Sequence, residues 1–114
     1  MDETRMVDAV TGGEKGSKLA RFDLIPPEAE WALAEVYGRG ARKYADRNWE
    51  RGYAWGLSVA ALRRHLALWI QGESYDEETG CHHLMQVAWH AITLFVYEIR
   101  GLGTDDVRTT RRNV

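Results

Sequence analysis

The chain has 114 residues, 45% of them hydrophobic and 28% charged, with a formal net charge of −2. This is the composition of one ordinary globular domain, and its small negative charge excludes a protein that relies on non-specific attraction to nucleic-acid phosphate. Cys81 is the single cysteine, so an intrachain disulfide is excluded and a reducing compartment fits. No apolar run reaches membrane-spanning length, and the start, Met1-Asp2-Glu3-Thr4-Arg5, lacks the apolar core of a signal peptide. A cytoplasmic protein without a membrane partner is expected.

In chain order, residues 1–17 carry Thr11-Gly12-Gly13-Glu14-Lys15-Gly16-Ser17 and no hydrophobic period, which predicts a flexible arm. Lys15, Lys18 and Arg21 give the same stretch a second reading as an anion grip, without the spacing of a P-loop or dinucleotide fingerprint. Pro26-Pro27 then marks a helix start, and a first helix is expected over about residues 26–44. Glu28 and Glu35, seven residues apart, share one side of it. They are open to two readings: metal ligands, or a helix-dipole contact for Glu28 and an ion pair of Glu35 with Arg39.

The segment from Lys43 to Gly52 is turn-rich and polar. Lys43, Arg47 and Asn48 are donors suited to phosphate or a base edge, and Trp49 offers a flat face for stacking. The plainer alternative is a loop anchored to the core by Trp49. A second helix is expected over about residues 57–71, with Arg64 and His65 adjacent and therefore pointing apart. The connector Gly72–Gly80 carries Asp76-Glu77-Glu78, while Ser74 with Glu77, or Thr79, can cap the next helix.

A third helix is expected over about residues 79–100, ended by Gly101. His83, Gln86, His90, Thr93 and Tyr97 recur at three- or four-residue steps and form a polar stripe on an otherwise apolar helix. Such a stripe, if buried, has to be hydrogen-bonded, liganded or open to a cavity. The polar, basic residues 104–114 read as a tail, which leaves a single helical nucleotide-binding domain over residues 18–103.

Several segments occur together in a telling order: Lys18-Leu-Ala-Arg21-Phe-Asp23-Leu-Ile-Pro26-Pro27, Gly40-Ala-Arg-Lys43-Tyr44, Asn48-Trp49, Arg64-His65 with Trp69, and Gly72-Glu73…Asp76-x-Glu78-x-Gly80-x-x-His83-Leu84. As a set, over roughly Lys18 to Glu98, the chain resembles the phage-type N-terminal domain family of dATP/dGTP diphosphohydrolases. The resemblance implies an all-α fold in the style of MazG-like nucleotide pyrophosphohydrolases and a divalent metal, Mg²⁺ or Mn²⁺. It further implies cleavage of a purine deoxynucleoside triphosphate to monophosphate and pyrophosphate, serving phage nucleotide-pool control in the host cytoplasm. The Glu-Glu-x-x-Glu helix and later Glu-x-x-Asp of MazG-like enzymes are missing, as is the His-Asp doublet of HD-type phosphohydrolases. Gln86 stands where the family pattern has histidine, and His90 where an amide is usual.

Magnesium prefers oxygen ligands, which points to Asp76, Glu78, Glu73 and Glu35 as the metal set; a transition ion adds His65, His83 and His90. Glu78, His83 and His65 are the expected catalytic groups. Lys18, Arg21, Lys43, Asn48, Trp49, Arg64, His65, His83 and His90 are the expected nucleotide contacts. The expected architecture is an all-α bundle of three principal helices that assembles as a homodimer or higher oligomer, because amphipathic helices rich in Trp and Leu leave apolar surface to cover. Two alternatives stand beside hydrolysis: a non-catalytic protein that sequesters a nucleotide or signalling dinucleotide, and an oligomerisation module. No specific nucleic-acid polymer is expected as a partner.

Overall fold

Pro27 opens the first helix, where a residue without an N–H is no loss, and Gly101 (φ 69°) closes the last one in the left-handed conformation. Between them lie the three helices of the fold, α1 (Pro27–Lys43), α2 (Trp55–Ile70) and α3 (His83–Arg100). The structure, a computed structural model, describes residues 3–108. Two short 3-10 turns, Phe22–Leu24 and Asn48–Arg51, lead into α1 and α2.

The expected all-α class does not hold. Residues Glu3–Val7 (β1) and Glu14–Lys18 (β2) pair as an antiparallel hairpin, in register from Glu3 opposite Lys18 to Val7 opposite Glu14. The stretch expected to be a flexible arm is thus a structured hairpin, apart from residues 1–2, which lie outside the described residues. Turn chemistry makes it. The Asp8 carboxylate accepts from the amides of Val10 (2.8 Å) and Thr11 (2.9 Å), and these bonds hold its pKa below the usual value. Gly12 takes the positive φ (75°) that the reversal requires. Both strands are largely exposed, so the hydrophobic alternation that normally betrays a strand is absent. The fold is mostly helical with a two-stranded sheet.

The helix boundaries differ from expectation for local reasons. α2 starts at Trp55 because the segment after α3 returns to its first turn. There Thr104 O accepts from Trp55 N (3.0 Å), Asp106 Oδ1 accepts from Gly56 N (2.7 Å), and Trp55 Nε1 donates to Leu102 O (2.9 Å). A carboxylate at that end also complements the helix dipole. Of the residues read as a tail, 104–108 therefore carry structure, and 109–114 lie outside the described residues. α3 starts at His83 because the preceding residues form a tight turn. His82 is the cap, its Nδ1 accepting from Leu84 N (3.1 Å). Thr79 instead serves the connector, accepting from Cys81 N (3.1 Å) and donating to Asp76 Oδ2 (3.2 Å).

α3 packs against both α1 and α2, while α1 and α2 make little contact with each other. A cleft floored by α3 results. The polar stripe faces inward: His83, Gln86, Thr93 and Tyr97 are buried, whereas Phe95 (61%) and Ile99 (66%) are exposed. The packing around the cleft is aromatic. The rings of Tyr37, Trp49 and Trp89 lie 6.0–6.4 Å apart, and Tyr53 meets fully buried Tyr97 edge-on at 5.2 Å. The Tyr97 hydroxyl donates to Trp49 O at 2.5 Å, pinning the loop before α2 to α3.

Candidate functional site

A cavity of about 880 Å³ occupies the cleft. The second half of α1, the loop through Trp49, the outer turns of α2, the acidic connector and the middle of α3 all contribute to its wall. Its size suits a nucleotide-sized ligand. The wall carries cations and a histidine–carboxylate cluster besides the aromatic rings of Tyr37, Trp49, Tyr53 and Trp89.

The cations are Arg39, Lys43, Arg47 and Arg64. Arg39 and Lys43 are four residues apart on α1 and share a face. Arg47 is the non-glycine residue of the described chain with a positive φ (59°), just where α1 gives way to the loop. Lys43 lies over the Tyr44 ring at 5.3 Å. Among the described residues, the four cations make no ion pair within 4.0 Å, while other surface charges such as Arg21–Asp23 and Arg100–Glu50 are paired. Unpaired positive groups converging on one concavity favour a polyanion.

The cluster is built by α2, the connector and α3. His65 Nδ1 and His83 Nδ1 face each other at 2.9 Å. Asp76 joins them: one ligand atom from each of His65, Asp76 and His83 lies within 4.8 Å of the others. Burial, then the Arg64 guanidinium, holds His65 below its ordinary pKa, against the pull of Asp76 and Glu78. It is neutral at pH 7 and therefore able to ligate.

Asp76 is held firmly. Its Oδ1 accepts from Glu78 N (3.1 Å), and its Oδ2 accepts from Thr79 (3.2 Å) and from Gln86 Nε2 (3.3 Å). Burial opposes its charge, yet these three bonds win and lower its pKa. Gln86 thus acts as the amide that positions Asp76. Two backbone bonds fix the loop beneath, Asp76 N to Cys81 O (2.9 Å) and Gly80 N to Asp76 O (2.7 Å), with Gly80 at φ 76°.

A second set of hydrogen bonds ends at His90. The Tyr53 hydroxyl meets Ser58 Oγ at 2.5 Å, and Ser58 Oγ meets His90 Nδ1 at 2.9 Å. Ser58 is fully buried. Burial first, then the neighbouring His65 and Arg64 charges, depress the His90 pKa to about 4, so His90 is a neutral hydrogen-bonding group in the cavity wall.

Of the residues expected from sequence, Lys43, Asn48, Trp49, Arg64, His65, Asp76, Glu78 and His90 line this cavity. His83 lies wholly buried behind it, with its Nε2 3.6 Å from Glu73 Oε2. Others lie elsewhere. Lys18 is paired with Glu3 in the hairpin, and Arg21 with Asp23 at 2.7 Å. Glu35 lines a separate pocket with Glu28, Tyr75 and His82. Trp49 is shared between two roles, since its ring also packs in the aromatic core. Sequence reasoning missed Arg39, which spacing offers only as a partner for Glu35, and the Tyr53–Ser58 support of His90. The four-residue step from Arg39 to Lys43 and the seven-residue step from Ser58 to His65 were the available signals.

The small, mostly helical domain thus carries a central cavity lined by four cations and by His65 and Asp76 of a histidine–carboxylate cluster. The chain belongs to the family described as dATP/dGTP diphosphohydrolase, N-terminal, whose profile matches residues 9–107. It is similar to the dATP/dGTP diphosphohydrolase of Salmonella phage PMBT28, with 29% identity over 90 residues. That match covers 75% of this chain and 29% of the relative, so the chain spans under a third of that protein's length. No solved structure matches. Among the described residues, no helix is long and apolar enough to cross a membrane.

Proposed function

We propose that the chain hydrolyses purine deoxynucleoside triphosphates, releasing monophosphate and pyrophosphate, with the cavity between α1 and α2 as the active site. The observation that carries this reading is that Arg39, Lys43, Arg47 and Arg64 line one cavity with His65 and Asp76, two members of the His65–Asp76–His83 cluster. The cations neutralise and orient the triphosphate. The expected divalent ion, Mg²⁺ or Mn²⁺, would be held by the cluster, where one ligand atom each of His65, Asp76 and His83 lies within 4.8 Å of the others. When bound, such an ion supplies Lewis-acid polarisation of a phosphoryl oxygen and acidifies water. Glu78, exposed at the rim beside the cluster, takes the proton from the attacking water as its oxygen bonds to the α-phosphorus and pyrophosphate leaves. His90 and Asn48 offer polar contacts to the nucleoside, and the exposed part of Trp49 a stacking surface. Incubation with dATP or dGTP and Mn²⁺, with products separated by chromatography, should yield deoxynucleoside monophosphate. Intact nucleotide retained on the protein with every ion would instead assign a sequestering protein.

Arg39→Ala and Arg64→Ala should each weaken nucleotide binding roughly 10-fold or more, as expected for losing a charge-assisted contact of about 1.5–3 kcal/mol. The remaining affinity should depend less steeply on salt. Arg21→Ala, outside the cavity, should change neither. Equal affinities for all four proteins would remove the anion wall from the account.

The functional unit we infer is a self-associated one. The chain exposes 9068 Å², against about 6,300 Å² for a folded monomer of this mass. Its radius of gyration is 18.7 Å, against roughly 13 Å for a compact domain of this length. Trp31, Phe95 and Ile99 are each more than half exposed on helix surfaces. The excess area is of the order that obligate homodimers bury, which supports a second copy covering the apolar faces. Light scattering should give at least twice the 13.0 kDa chain mass; a monodisperse, stable monomer would overturn this.

A further inference from the structure

His83 Nε2 is the single buried side-chain polar atom without a hydrogen-bond partner among the described residues. It does not face apolar packing. It faces the half-buried Glu73 carboxylate at 3.6 Å, while the other nitrogen of the same fully buried ring faces His65 Nδ1 at 2.9 Å.

These two contacts favour one placement of the protons over the other. A contact between two imidazole nitrogens at 2.9 Å needs one proton between them. If His83 supplied it from Nδ1, its bare Nε2 lone pair would confront the Glu73 carboxylate, acceptor against acceptor. If His65 supplies it, His83 carries its proton on Nε2, turned toward the Glu73 carboxylate 3.6 Å away. The second arrangement avoids setting acceptor against acceptor. It leaves the lone pair of His83 Nδ1 directed at His65 Nδ1, and an Asp76 carboxylate oxygen lies within 4.8 Å of a ring nitrogen of each histidine. A carboxylate behind a histidine is the standard device for fixing the tautomer and orientation of a metal-ligating imidazole.

We propose that His65 and His83 bind a first-row transition-metal ion through Nδ1, with Asp76 as third ligand, and that Glu73 positions His83 rather than ligating the ion. The spacing suits this set. Two metal–nitrogen bonds of about 2.1 Å at a tetrahedral angle span roughly 3.4 Å, so the rings need part only by about half an ångström. When the ion displaces the shared proton, His65 becomes the Nε2–H tautomer and no net charge is left on either ring. Two imidazoles and one carboxylate favour Mn²⁺, Co²⁺ and Zn²⁺ over Mg²⁺, which prefers oxygen. This deepens the hydrolase reading, because it names the ion class and separates the role of Glu73 from that of Asp76.

The test uses the whole chain without nucleotide. Calorimetric titration with Zn²⁺, Mn²⁺ and Mg²⁺ should show one transition ion per chain, with Mg²⁺ at least roughly 100-fold weaker. Cobalt(II) should give visible d–d absorption characteristic of mixed imidazole–carboxylate ligation. Glu73→Gln should weaken affinity by about 10–100-fold with the cobalt band shape unchanged, as for an outer-shell partner. Asp76→Asn should alter the band shape, and His83→Ala should abolish it. His65→Ala gives an independent check should His83→Ala fail to fold. A changed band shape in Glu73→Gln would make Glu73 a ligand, and unchanged affinity would make it a bystander; either overturns the proposal. Mg²⁺ bound as tightly as Zn²⁺ overturns it too. Nucleotide hydrolysis by a chain that binds no transition ion would sink this site alone, whereas tight ion binding without hydrolysis would sink the hydrolase reading alone.

Discussion

Asp76→Asn should reduce nucleotide turnover by ~10³-fold or more if Asp76 holds the ion as proposed, since an ion's Lewis-acid contribution is several kcal/mol and each ~1.4 kcal/mol is tenfold in rate. The substitution keeps the shape of the side chain. Its oxygen, kept in place of Oδ1, can still accept from Glu78 N, and the amide nitrogen in place of Oδ2 can donate to Thr79 Oγ1, so that the bond from Gln86 is the one lost. The melting temperature should therefore move little, and nucleotide affinity measured without metal should hold or rise, because a negative charge facing the triphosphate is gone. Glu78→Gln should also lower turnover while leaving metal affinity nearly intact, since its carboxylate lies outside the His65–Asp76–His83 convergence. Loss of turnover accompanied by unfolding would make Asp76 a structural residue of the connector. Full turnover in both variants would place the chemistry elsewhere.

Gly103→Ala should be the most destabilising of the small substitutions. A Cβ there would lie 2.2 Å from Tyr53 O and 3.1 Å from Tyr53 N, on a backbone at φ +70°. Left-handed strain and the forced displacement of Tyr53 together predict a loss of about 2–5 kcal/mol, or roughly 10 °C or more in melting temperature. The effect should reach the cavity, because Tyr53 carries the hydrogen bond to Ser58 that supports His90. Gly38→Ala is the counterpart: nothing lies within 4 Å of its Cβ position, and an alanine inside α1 should stabilise by up to about 1 kcal/mol. Wild-type melting behaviour in Gly103→Ala would show that the segment after α3 does not clamp α2.

The helical part of the fold was legible because its signals are local. Pro26-Pro27 and Gly101 punctuate the chain, and the His83-to-Tyr97 stripe is visible as a period. What hid the hairpin is that its strands are polar and exposed; the Asp8 turn sets their pairing, and nothing in their hydrophobicity does. The early start of α2 depends on Asp106, fifty residues away from Gly56, a tertiary contact that no window contains. His82 displaced Ser74 and Thr79 as the cap because the connector needed Thr79 for Asp76.

The candidate site was legible as a set of residue types but not as an arrangement. Sequence grouped Glu35, Glu73, Asp76 and Glu78 by their oxygen chemistry. It offered His65 and His83 for a transition ion, and in the structure these two imidazoles converge with Asp76, while Glu35 lies in another pocket and Glu73 behind His83. Lys18 and Arg21 have acidic partners outside the cavity, whereas Arg39 has none there. Which cations stay unpaired is decided by neighbours distant in sequence, so it could not be read from spacing.

Phosphorus-31 NMR of dGTP incubated with the purified chain and Mn²⁺, recorded after chelation of the ion, tests hydrolysis in this cavity most directly. It distinguishes the bond cleaved as well as the fact of cleavage. The triphosphate resonances should be replaced in parallel by those of deoxyguanosine monophosphate and pyrophosphate, and Asp76→Asn should suppress the change. Unaltered dGTP with every divalent ion, or release of orthophosphate with a nucleoside diphosphate, would contradict hydrolysis as proposed.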